Sequence, residues 1–144
     1  MHTITPHIVV GDAAGAARWY ATVFGAEEHS RLELPGGKLM QLELWFGDSA
    51  VMLADEFPDM CVLSPLSVGG TATVLHFTTD DADAVWQRAV DGGAEVRQPL
   101  GEVFWGDRYG QITDPFGHRW GIAQHLRDVP REELERAVAA AFGG

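Results

Sequence analysis

The feature that most constrains this chain is an internal repeat. "HIVVGDAAGAARWYATVFGAEE" begins at His7 and "HFTTDDADAVWQRAVDGGAEV" begins at His76. His7 and Asp12 pair with His76 and Asp81 at an offset of 69 residues, and the Gly-Ala-Glu triplets at 25–27 and 93–95 pair at 68. A period this long, present twice, is not that of a solenoid. It describes two copies of one supersecondary unit.

Each copy reads as a short β-branched strand, an acidic cap, a helix of about ten residues and a glycine stop. Asp12 is placed to accept the free N–H groups of the first helix, with Ala13, Ala16, Ala17, Tyr20 and Phe24 on one face. Gly25 supplies the left-handed residue that ends it. Asp80 or Asp81 caps the second helix, Val85, Ala89 and Trp86 face inward, and Gly92-Gly93 stops it. Three strands follow each helix. In "KLMQLELWF", Met40, Leu42, Leu44 and Phe46 are expected on one face and Gln41, Glu43 and Trp45 on the other.

The chain is therefore α+β: two tandem βαβββ modules that form a curved mixed sheet with a concave pocket, plus a short C-terminal helix. Module one spans about residues 4–56, a Pro-, Ser- and Gly-rich linker 57–70, module two about 71–126, and the terminal helix about 130–142. Leu134, Val138 and Phe142 give that helix an apolar stripe.

Among 144 residues there are 21 acids against 10 Lys and Arg, a net charge of −11 with no basic stripe, so nucleic acid is not expected as a partner. The same charge would attract a cationic small molecule. No apolar run approaches the roughly 20 residues of a membrane span, so no membrane association is expected. A single Cys61 and an N-terminus without a basic-then-apolar signal point to the cytoplasm.

The duplicated βαβββ unit, the histidines opening matching first strands, and "FWGDRYGQITDPFGHRWGIAQH" with "GDSAVMLADEFP" together resemble the vicinal oxygen chelate superfamily. That group includes glyoxalase I, bleomycin-resistance proteins, fosfomycin-resistance transferases and extradiol dioxygenases. The likeness covers about residues 4–126 and is strongest toward the PhnB-like subgroup. It implies a homodimer, and it implies metal ligands on the first and last strands of the modules. His7 and His76 match the two opening ligands. Leu53 and Gly121 stand where glyoxalase I has glutamates, so both carboxylates are missing.

Two readings follow. In the first, the protein binds a small aromatic or cationic compound without the usual metal tetrad and without a cofactor, as bleomycin-resistance proteins do. Its pocket draws on His7, Gln41, Glu43, Trp45, His76, Trp105, Arg108 and Gly121. Strand tryptophans hold planar or cationic ligands by stacking and cation–π contact. Gly121 leaves room for a bulky ligand. Asp107 and Arg108, as strand neighbours, point to opposite faces, so one of the two reaches the pocket. In the second reading, His7 and His76 recruit Glu43 as a third ligand for Zn, Ni or Mn, and the protein is a metal-dependent lyase or isomerase with Glu43 as ligand or proton shuttle. His118 is read as part of the turn or sheet surface, and His125 as a rim residue. Ser64, Ser67 and Cys61 have no patterned base nearby to make a nucleophile.

Overall fold

The computed structural model describes residues 2–143. Strand β1 (His7–Val10), helix α1 (Ala13–Phe24) and strands β2 (Glu27–Glu33), β3 (Leu39–Phe46) and β4 (Ser49–Asp55) form the first module. The second repeats the order with β5 (Val74–Thr78), α3 (Ala82–Asp91), β6 (Glu95–Glu102), β7 (Asp107–Thr113) and β8 (Arg119–His125). Between them lie a 3-10 turn (Pro58–Met60) and the one-turn helix α2 (Pro65–Val68), and α4 (Arg131–Phe142) closes the described chain. Each module makes its own four-stranded mixed sheet, ordered β1-β4-β3-β2 and β5-β8-β7-β6. β1 and β5 lie parallel to β4 and β8, and the other pairings are antiparallel.

The caps form as the sequence expects. Asp12 accepts the Gly15 N–H at 3.0 Å, Asp81 accepts that of Ala84 at 3.1 Å, and Gly25 ends α1 at φ 72°. Such an acceptor is worth about 1 kcal/mol. A second pair of acceptors comes from the last strands. Asp55 takes the Ala13 N–H at 2.7 Å and Gln124 takes that of Ala82 at 3.0 Å, so strand and helix are tied at matching points of the two repeats. Asp55 also takes the Leu39 N–H.

One core serves both modules. Tyr20 and Phe24 of α1 meet Phe46 of β3, Phe77 of β5 and Trp120 of β8, with the Phe24 and Trp120 rings 4.4 Å apart and the Phe24 and Phe77 rings 4.7 Å apart. Pairs of this kind add about 0.5–1.5 kcal/mol each beyond their buried area. At the edge of that cluster, buried Asp114 accepts four donors: the Tyr20 hydroxyl, the Trp120 indole N–H at 2.9 Å, and the backbone N–H groups of Phe116 and His118. Burial and the Asp114 carboxylate push the Tyr20 phenol well above its ordinary range.

Two strand expectations need correction. Met40 does not share the face of Leu42 and Leu44. The pairing runs Leu32 to Gln41 and then Glu33 to Leu39, so Met40 is the extra residue of a β-bulge and is exposed, while Leu39 takes the buried place. His118 closes the turn begun by Asp114, as expected, but it is not surface structure. It is buried, and its Nε2–H donates to the Val9 carbonyl at 2.8 Å, joining the start of β8 to β1.

The linker is ordered by its acid. Glu56 accepts the Ser64 N–H at 2.6 Å, and hydrogen bonds from Ser64 and Ser67 lower its carboxyl to about 2. In α4, Val138 and Phe142 are exposed and Leu134 is half-buried.

Candidate functional site

Strand pairing fixes which side chains share a face. In the first sheet, His7 lies opposite Met52, Met52 opposite Glu43, and Glu43 opposite Ser30. In the second, His76 lies opposite Gly121, Gly121 opposite Gln111, and Gln111 opposite Gln98. Residues one step along each strand (Ile8, Leu53 and Leu42; Phe77 and Ile122) belong to the core beneath the helices. The two histidine rows therefore occupy the faces away from the helices, where cross-strand neighbours are the interacting unit.

This register corrects the expectation for Leu53. It is fully buried on the helix side, and the residue across from His7 is Met52. Met52 and Gly121 are the equivalent positions, and neither offers a carboxylate. Arg108 is corrected as well. It lies on the helix side of β7, where its guanidinium holds Asp83 of α3 at 2.7 Å. Asp107 is the member of that pair on the open face, and it accepts from the Trp105 indole at 3.1 Å.

Gly121 does not leave space. A Cβ there would lie 2.8 Å from the Tyr109 hydroxyl oxygen and 3.0 Å from its ring. Tyr109 arches over the glycine and stacks on His76, with centroids 5.8 Å apart and planes 18° apart. Trp105, in the β6–β7 turn, meets the Tyr109 ring edge-on at 5.5 Å. The Gln111 amide donates to the Tyr109 hydroxyl at 2.8 Å. Thus Gly121, His76 and Trp105 come together around a tyrosine. The alternation of "DRYGQIT" (Asp107, Tyr109 and Gln111 on one face) was the signal that could have found Tyr109 and Gln111.

On the first module's open face, Glu43 accepts the Trp45 indole N–H at 2.6 Å, Trp45 stacks on His29 at 5.3 Å, and Gln41 is exposed beside the bulge. His7 and His76 open on different clefts. His76 lines one of about 480 Å³ with Phe46, Phe77, Trp120 and Asp48, and His7 lines one of about 360 Å³ with Leu63, Val68 and Thr73. Among the described residues no group of three or more His, Cys, Asp or Glu stands close enough to hold a metal ion. Within one chain, then, His7, His76 and Glu43 are not gathered, and these residues do not fit a shared ion.

His125 ends β8, with Nδ1 3.1 Å from Asp107 and Nε2 2.8 Å from Asp128. Hydrogen bonds from its ring to those carboxylates raise its imidazole pKa.

Two βαβββ modules with a histidine on each first strand, opening β1 and at the middle of β5, define the class. The chain belongs to the Glyoxalase/Bleomycin resistance protein/Dioxygenase superfamily, whose sequence model matches residues 1–122. It is 42% identical to an uncharacterized protein of Mycobacterium bovis, covering 98% of this chain and 95% of that one. Its fold is similar to that of protein PA1353 from Pseudomonas aeruginosa, with a TM-score of 0.74 at 22% identity over 88% of this chain and all of that one. The PhnB protein from Bacillus cereus shares the fold too, with a TM-score of 0.69 at 18% identity over 85% of this chain and 99% of that one.

Proposed function

We propose that the protein binds a small planar aromatic or cationic compound and releases it unchanged, working without the family's metal tetrad. The observation that carries this reading is Tyr109 lying over Gly121 and against His76, so that an aromatic ring rather than a carboxylate faces the second-module histidine. The adjoining cleft supports it. About 480 Å³ is within the size of drug-like ligand sites, and its walls combine Phe46, Phe77 and Trp120 with the polar His76 and Asp48. The pairing of Trp45 with Glu43 supports affinity for cations, since an indole face and a carboxylate both attract positive charge.

A homodimer belongs to the same proposal. The histidine faces look away from α1 and α3, and a second copy set against one of them would deepen the pocket. Sedimentation would show a species of twice the chain mass. The cytoplasm is the proposed compartment, in keeping with an acidic chain whose lone Cys61 is exposed and free.

Metal titration of the chelator-stripped protein with Zn, Ni and Mn, followed by calorimetry, tests the reading first. Absent or nonspecific binding is expected. About one ion per chain bound tighter than about micromolar, and lost in His76→Ala, would overturn it in favour of a metal-dependent lyase or isomerase. A panel of planar and cationic antibiotics, bleomycin included, comes next. Saturable binding with recovery of the intact compound is expected, and turnover would refute the reading.

A further inference from the structure

Tyr109 has a role beyond filling the space above Gly121. Its hydroxyl oxygen accepts from the Gln111 amide at 2.8 Å, which fixes the oxygen's place and spends one of its lone pairs. The phenol's own proton meets no acceptor among the described residues. The ring is held on two sides, by His76 in a near-parallel stack and by Trp105 edge-on. Gly121 is what permits the approach, because any side chain there would drive the hydroxyl away. A buried ring, a fixed oxygen and an uncommitted O–H make a preorganised donor, which costs little ordering when an acceptor arrives.

We propose that Tyr109 is a specificity residue that donates a hydrogen bond to a carbonyl-type oxygen on a planar aromatic ligand seated against His76. The inference rests on the binding role proposed above and adds the ligand's polar feature. A site that presents such a donor prefers a ring carrying an acceptor over the same ring without one. With the hydrogen bond worth about 0.5–1.5 kcal/mol, the preference is about two- to tenfold.

Coumarin and naphthalene are suitable probes, being planar bicycles of similar size with and without a carbonyl oxygen. Their affinities are measured by quenching of tryptophan fluorescence in the wild-type protein and in Tyr109→Phe, which keeps the ring over Gly121 and removes only the hydroxyl. Melting temperatures confirm that the variant is folded. The expected result is tighter binding of coumarin to wild type, with the two affinities converging in Tyr109→Phe while naphthalene affinity stays unchanged. A preference that persists in the variant overturns the role of Tyr109. Equal binding of both probes to wild type also overturns it, and leaves the aromatic-binding reading standing. Binding of neither probe removes the role of Tyr109 together with the planar-aromatic half of the proposed function.

Discussion

The two open sheet faces have the same backbone and different chemistry. His7, Met52, Glu43 and Ser30 cross the first sheet as His76, Gly121, Gln111 and Gln98 cross the second. The first row carries a flexible thioether and a carboxylate bonded to an indole. The second carries no acid, and its glycine admits Tyr109. The two modules share an imidazole on the first strand while everything across from it differs. Spacing and strand register agree on Met52 and Gly121, each 45 residues after its histidine. Glu43 lies 36 residues after His7 and Gln111 35 after His76, so that pair is matched by register alone. By register the second module's Gly121 answers to Met52, and its Gln111 answers to Glu43.

The turns that lead into the last strands differ as well, and here the largest effect is expected. Asp114 in the second module anchors Tyr20 of the first module's helix and its own Trp120, whereas Asp48 in the first module's turn accepts, among the described residues, only from the Ser49 hydroxyl. Asp114→Ala leaves two buried side-chain donors and two backbone N–H groups without their acceptor. A loss of roughly 3–5 kcal/mol is expected by chemical denaturation, against less than about 0.5 kcal/mol for Asp48→Ala. Similar losses in the two variants would show that the modules are not tied through this carboxylate.

A paired substitution tests the rows directly. Gly121→Glu forces a side chain into the Tyr109 ring and should cost about 1–3 kcal/mol by overpacking. Met52→Glu, at the matching and half-buried position, should cost under about 1 kcal/mol. Thermal melts of both variants decide the point, and equal costs would break the claimed asymmetry.

The repeat, the caps, the glycine stops and the family were legible because each rests on local chemistry: Asp12 and Asp81 need only their own helix starts. The site was half legible. His76, Trp105 and Gly121 do come together, and Glu43 does share a face with His7. What failed depended on partners remote in sequence. The bulge at Met40 appears only when β2 is laid beside β3, Leu53 joins the core through its pairing with Ile8, and Arg108 turns to the helix side, where Asp83 of α3 meets it. Gly121 suggested empty space because the ring that fills it comes from the neighbouring strand.

A smaller effect separates the amide of the second row from the acid of the first. In Gln111→Glu a carboxylate would accept the phenol's proton where the amide now donates to its oxygen. The O–H is then consumed internally, and coumarin should bind no more tightly than naphthalene, as in Tyr109→Phe. A preserved preference would mean that Gln111 does not set the direction of that hydroxyl.

The smallest expected effect lies where the sheets end. The last strand of the first module finishes with Asp55, whose carboxylate holds two backbone N–H groups. The second finishes with His125 between Asp107 and Asp128, and the adjacent Leu126 and Arg127 N–H groups both donate to the Gly106 carbonyl. Only the imidazolium can donate from both ring nitrogens, so the bridge requires the proton. Because the folded pKa is raised, the stabilisation is complete below the ordinary histidine value of about 6.5 and is lost as pH rises through the folded value. Proton NMR should find His125 titrating above about 6.5 in the native protein, and nearer to it in Asp107→Asn. Amide exchange at Leu126 and Arg127, corrected for its intrinsic pH dependence, should quicken over the same interval, while exchange at Leu39 beside Asp55 should not. An ordinary or lowered value for His125 would mean that the carboxylates do not hold the ring, and that this end of the second sheet is no more sensitive to pH than its counterpart.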